Sequence, residues 1–171
     1  MTIHYQPPVF LIRTIYENIV NPDVTLMKTL MNTAVANPVS QTGLKTLVDE
    51  LVKNSLPVAV RNQSLIVNNI PDRFMVSADE NVIAKVVNGL LQAVINNARN
   101  SCIYVSAKMI YDNMVEVFVK DNNSYHTYAI ACGLQDVAPV AEKMGGRLHI
   151  MNQRQKVTTI SFTFPVEPAA A

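Results

Sequence analysis

The sequence predicts an α+β fold, a two-layer sandwich in which helices cover one face of a mixed β-sheet. Apolar residues that alternate with period 2 indicate several short strands, and most of these strands come in hairpin pairs. A long segment from 83 to 95 has instead the apolar spacing of a helix. The 171 residues contain no internal repeat, which favours one domain with a small appendage.

The composition excludes several classes of protein. With 49% apolar residues, 16% charged residues and a net charge of +1, it is that of an ordinary globular protein. Lysine and arginine are scattered, so we expect no nucleic-acid partner. Cys102 and Cys132 are expected to be unbridged thiols in a reducing compartment, with no metal site. No apolar run is long enough for a membrane span and no signal-peptide pattern is present, so we expect a cytoplasmic protein.

Residues 1–38 are predicted to form a short helical hairpin. Pro8 lies in the first turn of one helix, and Asn21 caps a second helix. The second helix has an apolar stripe at i, i+3, i+4 spacing, made of Val24, Met27, Leu30, Met31, Ala34 and Val35. Because two short helices bury such a stripe poorly, we expect a homodimer through residues 8–37.

The next elements are a helix and two strands. Residues 42–61 have helical spacing, with Thr42 as the candidate cap, and Pro57 is expected to kink or end the helix. Strands are predicted at 65–70 and 74–76.

A long helix and two hairpins follow. Residues 77–79 cap the helix, whose apolar residues are Ile83, Val86, Val87, Leu90, Leu91, Val94 and Ile95. Strands at 102–110 and 114–121 meet at an Asp-Asn turn, and strands at 147–151 and 157–164 form the last hairpin.

The most informative stretch runs from Val115 to Leu148. Its strand ends at Asp121, which a pair of asparagines follows. Then come about ten residues of loop, Gly133, a short helix and a Gly-Gly stop at 145–146. An acidic residue at a strand end and a glycine before a helix N-terminus are how a chain builds a pocket for a purine and its phosphates.

These motifs resemble the histidine-kinase-type (GHKL, Bergerat-fold) ATPase domain, the C-terminal catalytic region of two-component sensor histidine kinases. The family's strand-Asp-x-Gly box is similar to VKDNN, and its Gly-x-Gly-Leu box, helix and exit strand are similar to ACGL and VAPVAEKMGGRLHI. The resemblance covers residues 42–165. It implies the same layered sandwich as an ATPase-like domain at 39–165, with 166–171 as a C-terminal tail.

The resemblance also implies a set of nucleotide-binding positions on the long helix. In the family, asparagines of this helix coordinate Mg²⁺, which prefers oxygen ligands. The matching positions here are Gly89 and Ala93, and Ala93 has no side-chain oxygen. Asn88 and Gln92 are each one residue away, about 100° around the helix. One turn further on, the amides at 96 and 97 could reach the rim.

Other family positions are also changed. Asp121, which would hold adenine, is retained, whereas Asn123 stands where the family has glycine. In the second box Ala131 replaces the first glycine, and Gly133 keeps the second. The lid over the phosphates, 124–132, is short for the family.

The helix after the lid departs from the family as well. Asp136 is its expected cap and would place a negative charge near the phosphate end. Pro139 shortens this helix if Asp136 is the cap. If a nucleotide site is retained, the resemblance assigns it to residues on the long helix, the strand end and the second box: Asn88, Gln92, Asn96, Asn97, Asp121, Asn123 and Gly133.

The histidines do not form a catalytic set in the sequence. In the resembled family, a helical hairpin before the ATPase domain carries a phosphorylated histidine, so His4 is a weak phosphoacceptor candidate. A second alignment of residues 8–19 puts Val9 at that position instead. His126 and His149 lack a neighbouring carboxylate and nucleophile, so they are interpreted as structural or solvent-facing.

Two hypotheses about function follow. The first is a two-component-type signalling module, a pseudokinase with a degenerate nucleotide site, which acts by contact with a receiver domain or another kinase. The alternative is an ATP-binding sensor histidine kinase or phosphotransfer protein with a divergent pocket, which would use ATP and Mg²⁺. If Asp121 holds no adenine, its carboxylate should accept from amides of the 122–125 turn or from Asn96 or Asn97.

Overall fold

A computed structural model describes residues 41–111, 113–123, 126–153 and 157–167. The predicted hairpin of 1–38, its dimer contact and His4 lie outside the described residues. So do Ser124 and Tyr125 of the predicted lid.

The sheet is mixed and has five strands in the order β2-β4-β5-β7-β6. The strand β2 runs parallel to β4, and the other neighbours are antiparallel. A separate antiparallel pair joins β1 to β3. The strands are β1 (Gln41–Gly43), β2 (Leu65–Asn68), β3 (Met75–Ser77), β4 (Cys102–Tyr111), β5 (Met114–Asp121), β6 (Arg147–Gln153) and β7 (Val157–Pro165).

Helices cover one face of this sheet, as the sequence predicts. They are α1 (Leu44–Arg61), α2 (Glu80–Ile95), α3 (Thr127–Gly133) and α4 (Ala138–Lys143). The core lies between α2 and the inward residues of the central strands, such as Val117, Val119 and Phe162, which are fully buried. All seven apolar residues predicted for the long helix are also fully buried. The α+β two-layer prediction is confirmed for the described residues.

The two long helices begin differently. The helix α2 has the predicted cap, since the carboxylate of Asp79 accepts from the backbone N–H groups of Asn81 and Val82. The prediction that Thr42 caps α1 is wrong. Thr42 lies in β1, and its hydroxyl donates to the Glu80 carboxylate at 3.0 Å. The N-cap of α1 is Gly43, which makes no side-chain cap.

Three other boundary predictions need correction. Exposed Pro57 does not end α1, which continues to Arg61, because a proline near the last turns leaves only one helical carbonyl without its usual donor. The strand predicted at 65–70 ends at Asn68. Val166, placed in the tail, is only 8% exposed, and its N–H donates to the Asn113 carbonyl at 2.9 Å.

The segment between β5 and β6 differs most from expectation. Residues Thr127–Gly133 form the helix α3 where a loop is predicted, so Gly133 ends a helix and does not precede one. Asp136 does not cap α4, because Val137 is the residue before its first turn.

The glycine stop after α4 is confirmed. Gly145 has φ +74°, a left-handed conformation in which a Cβ is strained. The N–H groups of Gly145 and Gly146 donate to the carbonyls of Glu142 and Ala141, each at 2.9 Å. This pair of bonds is the Schellman pattern of a helix end, and it turns the chain into β6.

Candidate functional site

Asp121 lies at the end of β5 and is completely buried. Its Oδ1 accepts from the Ser101 hydroxyl and from the Asn123 backbone N–H, the latter at 3.0 Å. Its Oδ2 is also buried, and no hydrogen-bond partner for it lies within the described residues. The carboxylate is therefore half satisfied from the protein itself, and one acceptor is left over.

A turn between α2 and β4 brings Ser101 to Asp121. Asn100 has φ +48°, a left-handed conformation that asparagine tolerates better than most residues. The N–H of Asn100 donates to the Asn62 carbonyl at 3.1 Å, and the Asn62 side chain donates to the Ile95 carbonyl at 2.7 Å. These bonds fix the turn that aims Ser101 at the strand end.

The helix positions that match the family's asparagines are packing positions here. A Cβ added to Gly89 would lie 2.3 Å from Cγ2 of Val137, far inside van der Waals contact. A Cβ added to Gly133 would lie 3.3 Å from the Cβ of Ala93. The chain from the end of α3 to the start of α4 thus lies directly on α2. Small residues at 89 and 93 make this close approach sterically feasible.

The four side-chain amides near these positions on α2 do not bond the Asp121 carboxylate. Gln92 donates to the Ser55 hydroxyl of α1 at 3.1 Å. Asn97 donates to the Ala93 carbonyl at 2.8 Å, so among the donors expected for Asp121 it is the Asn123 amide, and not Asn97, that bonds the carboxylate. Asn96 is the exposed C-cap residue of α2. Asn88 is half-buried, and none of these four residues bonds the Asp121 carboxylate.

Asn123 connects two turns at the edge of the candidate site. Its backbone N–H serves Asp121, and its side-chain amide lies 3.5 Å from the Arg99 carbonyl. The residue is exposed, unlike Asp121. The turn beside the β5 end is therefore tied to the turn after α2.

Hydrogen bonds also fix the N-terminal end of α3 to the sheet. The Thr127 hydroxyl lies 3.1 Å from the buried Thr158 hydroxyl of β7. The Asn152 side chain of β6 donates to the same Thr127 hydroxyl at 2.6 Å. With Gly133 against α2 at the other end, α3 is held at both of its ends.

No cluster of three or more histidine, cysteine, aspartate or glutamate side chains that could hold a metal exists in the described ranges. Both cysteines are free thiols. His126 precedes α3, and His149 is exposed on β6. Neither histidine is among the hydrogen-bond donors of the Asp121 carboxylate, which are Ser101 and Asn123.

Sequence reasoning missed two residues that decide this geometry. Val137 had a signal, because Gly89 and Ala93 are small residues four apart on one helix face, which indicates a close neighbour there. Ser101 had none, because its bond to Asp121 depends on the left-handed turn at Asn100.

No protein-family model and no curated protein matches the chain. Among solved structures, the chain is similar to the nucleotide-free catalytic domain of histidine kinase ThkA, with 15% identity and a TM-score of 0.60 over 74% of this chain and 94% of that one. It is similar to the Acinetobacter baumannii histidine kinase AdeS, with 12% identity and a TM-score of 0.64 over 95% of this chain and 87% of that one.

A third similar structure is full-length ShkA in complex with AMPPNP, with 17% identity and a TM-score of 0.64 over 81% of this chain and 34% of that one. At these identities the likeness concerns the fold. The described residues have the fold of histidine kinase catalytic (ATPase) domains, as the sequence motifs predict. Within the described ranges, no helix combines the length and apolarity needed to cross a membrane.

Proposed function

We propose that this chain is a signalling module that keeps the histidine-kinase ATPase fold but acts by protein-protein contact, as a pseudokinase. Its partner would be a receiver domain or another kinase of a two-component pathway. Residues 8–37, with their apolar stripe, would supply a homodimer contact. A cytoplasmic location fits the two free thiols.

The observation that carries the proposal is the contact of the α3–α4 segment with α2. Val137 occupies the space above Gly89, and Gly133 occupies the space above Ala93. In the resembled family, those two helix positions face the magnesium and phosphates. Here they have no side-chain oxygen, and other parts of the same chain cover them.

The purine side of the site supports the same proposal. Adenine recognition needs an aspartate whose carboxylate is accessible, yet Asp121 is wholly buried and bonded to Ser101 and Asn123. Binding a purine there would require the turn to open and these bonds to break. The residues present do not fit a magnesium nucleotide without such a rearrangement.

Nucleotide-dependent melting tests the proposal. A ligand at a hundred times its dissociation constant stabilises a protein by about 2.7 kcal/mol. We expect no shift in melting temperature with millimolar ATP or ADP, with or without Mg²⁺. A saturable shift would contradict the pseudokinase proposal. Binding of purified receivers or kinases to the full chain, measured by calorimetry, tests the partner part, which fails if none of them binds.

One observation favours the alternative, an ATP-binding kinase or phosphotransfer protein. Oδ2 of Asp121 is a buried acceptor without a partner in the described residues, and an exocyclic amine is the donor such an oxygen lacks. Under this alternative ATP and Mg²⁺ would be bound, and His4 would be the phosphoacceptor candidate. Incubation with γ-labelled ATP followed by acid-labile phosphate detection distinguishes the two, because the pseudokinase takes up no label.

A further inference from the structure

The five-stranded sheet has a second face, opposite the helices, that none of the described elements covers. Along this face the central strand β7 presents short hydroxyl side chains at Ser161 and Thr163. The strands on either side present longer ones. In the register, Thr163 lies between Arg147 of β6 and Glu116 of β5. A row of short side chains between two rows of long ones makes a trough along β7.

This trough is a groove of about 660 Å³ with Ser161 and Thr163 in its floor. Its β6 wall is formed by Arg147 and His149, and its β5 wall includes Glu116. The volume falls within the range of about 300–1,000 Å³ typical of ligand sites. Asp121 lies five residues beyond Glu116 on β5, and at an odd spacing its side chain is on the opposite, helix-covered face of the strand.

The polar groups in the trough are mostly donors without partners. Ser161 is 3% exposed, and its hydroxyl makes no hydrogen bond within the described residues. Arg147 and His149 likewise make no ion pair or side-chain hydrogen bond there. The one carboxylate, Glu116, is already paired with Lys108 at 2.9 Å, which offsets its charge. A guanidinium, an imidazole and a buried hydroxyl together suit an anionic oxygen.

We propose that the trough over Ser161 and Thr163, with Arg147 and His149 as the hydrogen-bond donors of its β6 wall, binds an extended acidic segment of a partner protein. Two facts select a peptide over a small anion. The trough follows a strand, and Arg147 and His149 are two residues apart on one face of β6. That spacing is about 6.8 Å, the distance between alternate side chains of an extended peptide. Carboxylates at alternate positions of the segment therefore meet the two donors in turn.

The proposal rests on the proposed function only in that both require a protein partner. The probe is a fluorescein-labelled hexapeptide of alternating Asp and Val, titrated with the full chain and followed by fluorescence anisotropy. The matched control probe alternates Lys and Val. We expect saturable binding of the acidic peptide alone, and weaker binding at higher salt because the contacts are partly exposed.

Three variants locate the binding. Arg147→Gln removes a charge-assisted contact and should weaken binding about tenfold. Ser161→Ala removes a neutral donor and should weaken it about threefold. Arg73→Gln is the matched control, since Arg73 is an exposed arginine between β2 and β3, at the opposite edge of the sheet from β6. It should leave the affinity unchanged.

The proposal is overturned if the acidic peptide does not bind, if the basic peptide binds as well, or if Arg73→Gln and Arg147→Gln weaken binding equally. Melting of the same samples with and without ATP and Mg²⁺ tests the proposed function separately from peptide binding. A nucleotide-dependent melting shift would remove the pseudokinase proposal and leave acidic-peptide binding intact. Absence of both peptide binding and a melting shift would remove the trough alone.

Discussion

The layer formed by α2 and the sheet contrasts with the segment from α3 to α4 that lies on its edge. The first is held by many large, fully buried apolar side chains, such as Leu90, Leu91 and Phe162. The second is positioned by a few close contacts at small residues, Gly89 and Ala93. Large apolar residues determine that the layers pack. Small residues determine how closely another segment can approach α2. They therefore determine whether the space along this helix is filled by the chain or left for a ligand.

Both kinds of residue occur on the one helix α2. Leu90 and Leu91 point into the core, while Gly89 lies beneath Val137. In a helix of this kind the residues on one side can vary while the fold is kept, because the core contacts and the contact with Val137 use different sides of the helix. This separation explains how a domain can have the histidine kinase fold at only 15% sequence identity.

The largest expected effect comes from removing a large apolar side chain from the layer formed by α2 and the sheet. Phe162 is fully buried and stacks on Phe164 with ring centroids 4.8 Å apart. Phe162→Ala should lower the free energy of unfolding by about 3–5 kcal/mol, measured by urea denaturation. Phe118→Ala is the matched control, because Phe118 is only half-buried on the uncovered face beneath Lys108. Equal losses for the two variants would contradict a core confined to the helix-covered side.

The next largest effect concerns the close contact between α2 and the segment from α3 to α4. In an ordinary helix, Gly→Ala gains about 1 kcal/mol, but the new methyl at Gly89 would overlap Val137. Gly89→Ala should therefore destabilise the domain, by about 1–3 kcal/mol, the usual cost of overpacking. Val137→Ala in the same chain should reverse the sign of the Gly89→Ala effect. This double-mutant cycle isolates the contact, and a stabilising Gly89→Ala single variant would show that α2 is open at this point.

The layer of α2 and the sheet could be predicted from the sequence more fully than the segment from α3 to α4. Period-2 and period-3.6 apolar patterns identify the strands and α2 correctly, because those patterns are produced by the burial that holds them together. The segment 127–143 was less predictable. Its position depends on close approach at Gly89 and Ala93, and on hydroxyl bonds such as Thr127 with Thr158, which connect residues 31 apart in the sequence.

In the candidate site too, the sequence predicts some residues and not others. Asp121 can be located from the sequence, because the alternating apolar residues of β5 mark the strand that it ends. Its surroundings cannot, because Ser101 reaches it only through the turn that Asn100 makes. The local satisfaction of one oxygen by the following turn was predictable, and the partnerless second oxygen was not.

A smaller effect is expected at Asp121 itself. Asp121→Asn keeps an oxygen for Ser101 and Asn123 but weakens both bonds, since they lose the charge of the acceptor. We expect a loss of about 1 kcal/mol in the free energy of unfolding. Ser101→Ala is the companion variant and should cost a similar amount. A negligible effect of both variants would mean that the turn is held without these bonds.

The smallest effect concerns Asp49, whose carboxylate connects α1 to β2. Asp49 accepts from Lys45 at 2.9 Å and from Asn68 at 2.8 Å. The hydrogen bond from Lys45 is the main reason that the pKa of Asp49 is lowered from 3.8, and the bond from Asn68 adds to it. Because the folded-state pKa is lowered, this contribution is present above the unfolded pKa and is lost as pH falls through the folded value.

Asp49→Asn should therefore cost no more than about 0.5 kcal/mol at pH 7, since the pair is partly exposed to solvent. The difference between the two proteins should shrink at pH 3, because this pH lies below the unfolded value of 3.8 and the contribution of a lowered folded-state pKa declines there. Urea denaturation at the two pH values measures it. Glu50→Gln is the control, an exposed neighbour on α1 that no ion pair engages within the described residues. A difference that grows on acidification would reverse the assigned sign. A loss at pH 7 as large as that of Gly89→Ala would mean that exposed polar contacts hold the covering layer as firmly as close packing does.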